Sequence, residues 1–63
     1  MATYHIRELQ LNYEELNRES FPYTRMRYSI LADGFEIETG ILNVRDMYLR
    51  FSDMCHASML PLQ

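Results

Sequence analysis

The chain has 63 residues, 48% of them hydrophobic and 24% charged, with one cysteine and a formal charge of −3. That length allows one domain, residues 1–63, with a core small enough that disulfides, a structural metal or a second chain usually support it. Cys55 cannot close an internal disulfide, and His5 and His56 do not complete a four-ligand zinc set, so no metal or cofactor is expected and association with another chain is.

From Thr3 to Ser20, Ile6, Leu9, Tyr13 and Leu16 recur at helical spacing, which predicts a first helix. The same residues also support a second reading. Tyr4 and Ile6, then Leu9, Leu11 and Tyr13, alternate as a strand does, with Asn12 and Glu15 placed to cap a short helix. Phe21-Pro22 ends the segment, because proline cannot donate to a helix ladder.

Asp33-Gly34 then stands between two alternating runs, Arg25 to Ala32 and Phe35 to Leu42. This is a hairpin signature, since a type I′ turn needs positive φ at both central residues. With those two residues in the loop, Ala32, Ile30, Tyr28 and Met26 face Phe35, Ile37, Thr39 and Ile41 on one side. On the other side Leu31, Ser29, Arg27 and Arg25 face Glu36, Glu38, Gly40 and Leu42.

Asn43 is a good N-cap for a second helix, with Val44, Met47, Tyr48, Phe51, Met54 and Cys55 on one stripe and an end near Met59, before Pro61. Residues 59–63 read as a flexible tail. The expected fold class is α+β in the order helix, two-stranded antiparallel hairpin, helix (αββα). Its core is Ile6, Leu9, Tyr13, Leu16, Met26, Tyr28, Ile30, Ile37, Ile41, Met47, Tyr48 and Phe51. Leu11, Leu49 and the tail leucines are left over, and both hairpin strands have unpaired edges.

No catalytic set is visible. Cys55 and His56 are adjacent on a helix, so their side chains point about 100° apart and cannot form a thiol-imidazole pair. Gly34 and Gly40 belong to the hairpin rather than to a phosphate loop, and His5 and His56 read as exposed residues. Six arginines against nine acidic residues disfavour nucleic acid as a partner. No apolar run approaches the ~18 residues of a membrane span. Arg7 and Glu8 interrupt the only stretch where a secretory signal core could lie, so a cytoplasmic location is expected.

The candidate site is instead a partner-binding surface on the outer face of the hairpin. Arg25, Arg27, Glu36 and Glu38 there are flanked by Tyr23, Leu31 and Leu42, and an apolar and aromatic patch rimmed by charge suits a protein interface.

The run from Tyr28 to Met47, with its Asp33-Gly34 turn and the helix opening Asn43-Val44-Arg45-Asp46-Met47, resembles the bacteriophage lambda W head-to-tail joining proteins, whose second helix opens Ser-Val-x-Asp-Leu. The resemblance covers about half the chain. It implies a helix, a hairpin and a helix, phage origin, and a ring-forming virion subunit without catalytic residues. The expected function is a non-enzymatic interaction module of phage or mobile-element origin that occludes a larger protein, as host-takeover or anti-defence inhibitors do, acting in the host cytoplasm. A virion connector subunit is the alternative, and a small nucleic-acid-associated regulator the second. The expected partners are another protein and further copies of the chain, with no membrane.

Overall fold

The computed structural model describes residues 2–17, 19, 20 and 23–59, with side chains through 57. Four antiparallel strands, β1 (Ala2–Ile6), β2 (Leu9–Glu15), β3 (Arg25–Ala32) and β4 (Phe35–Asn43), lie in sequence order in one sheet, and one helix, α1 (Val44–Met59), follows. The fold is ββββα. It corrects the αββα expectation: the segment read as a first helix is a second hairpin, and the sheet has four strands rather than two.

The physical reason lies in the company β2 keeps. Its alternation Leu9, Leu11, Tyr13 sets three apolar side chains directly opposite Ala32, Ile30 and Tyr28 of β3, while Gln10, Asn12 and Glu14 turn to the other face. A helix would swing Leu9 and Leu11 about 200° apart and leave the inner edge of β3 without hydrogen-bond partners. Pairing satisfies both needs, and Leu11 becomes wholly buried. β1 then closes on β2 with Ile6 opposite Leu9 and Tyr4 opposite Leu11. The link between β2 and β3 is tied by Leu16 N–H donating to Arg25 C=O at 2.9 Å and by the Arg25 N–H donating to Asn17 Oδ1 at 3.0 Å. Phe21-Pro22, read as a helix stop, and the tail at 60–63 lie outside the described residues.

The second hairpin keeps its predicted turn, with φ of 53° at Asp33 and 86° at Gly34, and its first two pairs, Ala32 with Phe35 and Leu31 with Glu36. Beyond them the register shifts by one, because Ile30 pairs with Glu38 and Ile37 is the extra residue of a β-bulge. A one-residue shift carries every later side chain to the opposite face. Glu38, Gly40 and Leu42 therefore turn toward α1, whereas Thr39 and Ile41 turn away from it. Ile37 and Ile41, expected in the core, are half-exposed.

α1 starts where predicted. Asn43 Oδ1 accepts the Asp46 backbone N–H at 2.8 Å, satisfying one of the free amides of the first turn. Met47, Phe51 and Cys55, at spacings of four, are its buried stripe. They pack on Leu9, Leu11, Met26, Tyr28 and Ile30, with Ile6, Tyr13, Ala32, Leu42, Val44 and Met54 around them. Leu16 and Tyr48, expected in the core, stand at its exposed border.

Candidate partner-binding surface

The sheet has one face under α1 and one open face, and the bulge decides which residues occupy each. Arg25, Arg27 and Leu31 lie on the open face from β3, with Glu36 beside Leu31 from β4. Glu38 and Leu42 do not join them, which corrects the expected grouping of all seven residues. Leu42 packs at the rim of the core. Glu38 is clamped from above by Arg50 of α1, whose guanidinium reaches its two carboxylate oxygens at 2.7 and 2.8 Å, and it accepts the Tyr28 hydroxyl at 2.6 Å.

The electrostatics follow from that clamp. The hydrogen bond from Arg50, then the one from Tyr28, holds the Glu38 carboxyl below the usual carboxylate range. Its contribution to stability is present above the unfolded carboxylate pKa and is lost as pH falls through the lower folded value. Burial, then the neighbouring Glu38 carboxylate, raises the Tyr28 phenol. Arg27, expected on one face with the β4 carboxylates, pairs instead with Glu14 of β2 at 2.9 Å. Both partners are well exposed, so that pair is worth at most about 1 kcal/mol.

Three of the expected residues do converge. Tyr23, Arg25 and Leu42 line one open groove of about 490 Å³, together with Ile41, Asn43 and Asp46. β3 and β4 bring its two sides together where their ladder ends, with the Val44 N–H donating to Thr24 C=O at 2.9 Å. Tyr23 is 67% exposed and Ile41 52%. Among the described residues the Arg25 guanidinium has no ion-pair partner. The groove thus presents an aromatic ring, a branched aliphatic side chain and an uncommitted cation side by side, which is the residue chemistry of interface anchors. Of the other outer-face residues, Arg27 is paired with Glu14, and Leu31 and Glu36 lie near the hairpin turn at the far end of the sheet.

A second cluster was not legible in the sequence. Tyr13 and Tyr48, 35 positions apart, meet edge to face with ring centroids 5.9 Å apart, and the Tyr48 hydroxyl donates to Tyr13 Oη at 3.1 Å. Tyr4 meets Phe51 in the same manner. Only the strand reading of the first segment could have suggested it, by placing Tyr4 and Tyr13 on the face where α1 lies. The bond to Tyr13, and then burial, pushes the Tyr48 phenol from 10.0 up to about 12. Between those values the unfolded chain loses the proton and the folded one keeps it, so this pair's contribution is complete below pH 10 and falls as pH rises toward 12. Urea unfolding followed at pH 9 and pH 11 will show a larger loss of stability for the native chain than for Tyr48→Phe.

Cys55 is buried in the core, and burial, then the Glu8 charge, raises its thiol pKa, which suppresses the reactive thiolate. His5 and His56 are both exposed. Among the described residues no three His, Cys, Asp or Glu side chains come together as a metal site, and no helix is long and apolar enough to cross a membrane.

Comparison with protein-family models, with curated proteins and with solved structures gave no match. The phage origin implied by the resemblance of Tyr28 to Met47, and the inhibitor role expected from small size, acidity and surplus apolar surface, thus have no support from known proteins. The first helix that the resemblance also implies is replaced by β1 and β2.

Proposed function

We propose that this chain is a non-enzymatic protein-interaction module, binding another protein through the groove where β3, β4 and α1 meet. The observation that carries this reading is the convergence of exposed Tyr23, exposed Ile41 and an Arg25 without an ion-pair partner among the described residues around one concave surface. Tyrosine and arginine are over-represented among residues that dominate binding energy, because each buries a large area and offers directed hydrogen bonds. The matching partner surface carries an apolar side chain with a carboxylate beside it, to meet Tyr23, Ile41 and Arg25. The module acts in the cytoplasm, a setting that suits a single buried thiol.

The test compares complexes formed in the source cell by the native chain and by variants. Tyr23→Ala or Arg25→Glu will weaken the complex by about 2 kcal/mol, roughly 30-fold. Circular dichroism will remain native, because both side chains are exposed. Unchanged affinity in both variants overturns the assignment of the groove.

A further inference from the structure

The two edges of the sheet are unequal. β1 is five residues long, whereas β4 is nine residues and contains no lysine, arginine or proline, the residues that commonly protect an edge from pairing. Its hydrogen-bonding direction follows from the ladder. Thr24 accepts from Val44, and Arg25 accepts from Leu16. Even-numbered positions of β3 therefore face β4 and odd-numbered ones face β2, because the bonding direction alternates along an antiparallel strand. Since Tyr28 pairs with Gly40 and Met26 with Leu42, the peptide groups of Thr39 and Ile41, and the N–H of Asn43, point outward at the edge.

We infer that β4 pairs with β4 of a second copy, antiparallel about a two-fold axis, with Ile41 opposite Ile41 of the partner copy. The bulge at Ile37 bends the strand and leaves the stretch beyond it for pairing. Within that stretch, outward positions must meet outward positions, and two registers satisfy a two-fold axis while pairing five residues of each copy without using the bulge. Centring on Gly40 places the Glu38 carboxylate opposite Leu42. Centring on Ile41 matches the chemistry instead: the two half-exposed isoleucines meet on the open face and Thr39 meets Asn43. On the α1 face Leu42 lies beside Gly40 of the second copy, whose α1 side is covered by the Tyr28 ring. No charged side chain falls within Thr39–Asn43, so the net charge of −3 on each copy is kept out of the seam.

The pairing joins two four-stranded sheets into one of eight, with the helices of both copies on the same face. It supplies the external support that a core of this size calls for. It goes beyond the proposed partner groove and does not depend on it. Ile41 belongs to both surfaces, whereas Tyr23 and Arg25 belong to the groove alone.

The experiment places a single cysteine on β4 in the full chain carrying Cys55→Ser, followed by oxidation and non-reducing electrophoresis. Opposed residues of a hydrogen-bonded antiparallel pair have Cα atoms about 5.5 Å apart, within disulfide range, so Ile41→Cys will form a covalent dimer. In the same register the two copies of position 39 lie about 14 Å apart along the strands, so Thr39→Cys will not. Sedimentation will show a dimer for the native chain and for Tyr23→Ala, and a folded monomer for Ile41→Lys. Ile41→Pro removes only an outward-facing N–H and will also be a folded monomer. A native chain that stays monomeric at hundreds of micromolar, or cross-linking through position 39 equal to that through position 41, overturns the inference. Loss of partner binding in Tyr23→Ala with the dimer intact would leave it standing.

Discussion

Leu11→Ala will lower the free energy of unfolding by about 3 kcal/mol or more, enough to unfold much of the population at room temperature. Leu11 has no exposed surface and sits where β2, β3 and α1 meet, opposite Ile30, which is equally enclosed. Truncating a buried leucine costs about 2–5 kcal/mol, through lost transfer energy and the cavity left behind. A core of this size seldom supplies more than about 3–5 kcal/mol in all. Leu16→Ala, at a side chain 40% exposed beyond the end of β2, will cost well under half as much. Urea denaturation followed by circular dichroism gives both numbers. The pair also separates the two readings of the first segment. A helical stripe of Ile6, Leu9, Tyr13 and Leu16 would make Leu16 the costly position and Leu11 the harmless one.

Gly40→Val will cost about 1–3 kcal/mol, by overpacking a site that is closed by the Tyr28 ring. A Cβ at position 40 would stand 3.3 Å from both Cε1 and Oη of Tyr28, closer than ordinary van der Waals contact. Tyr28 is 5% exposed and has little room to retreat, and any retreat pulls its hydroxyl from Glu38. The valine therefore disturbs both the core and the clamp between Glu38 and Arg50. Gly34→Ala is the control, because a Cβ there meets nothing and only the φ of 86° is strained. A double-mutant cycle with Tyr28→Ala should show strong coupling for position 40 and additivity for position 34.

These two positions also mark where the sequence could and could not be read. The Asp33-Gly34 turn was legible because both residues hold positive φ, which that dipeptide favours. The turn between β1 and β2 was not. Arg7 takes a φ of 55° there without glycine, asparagine or aspartate to announce it, so the first hairpin lacked a turn signal and the helical spacing of its apolar residues prevailed. Leu11 then had no place in the expected core. The bulge was equally silent, since one additional residue at Ile37 leaves the alternation of β4 looking regular. It moved Glu38 and Leu42 from the expected interface to the α1 side. The capped start of α1 and its Met47, Phe51 and Cys55 stripe came through because local spacing alone determines them.

The same division runs through the candidate surface. Tyr23 and Arg25 were legible as interface chemistry, and the structure gathers them into one groove, which Leu42 reaches from the rim of the core. Their neighbour Ile41 was hidden, because only the register shift turns it outward. Arg50 has Asp46 one turn away on α1, but it reaches down to Glu38, where the shifted strand supplies a better-enclosed carboxylate. Tertiary placement of one strand thus set both the locked side and the available side of the sheet.

The claim that this groove is the working surface is tested most directly by a photoreactive side chain installed at position 23, with position 52 on the exposed side of α1 as control. Irradiation in the source cell will give one discrete adduct with another protein from position 23, and Arg25→Glu will sharply reduce its yield, while position 52 gives none. Adducts of equal yield from both positions, or an adduct from position 23 whose yield is unchanged by Arg25→Glu, would contradict the account.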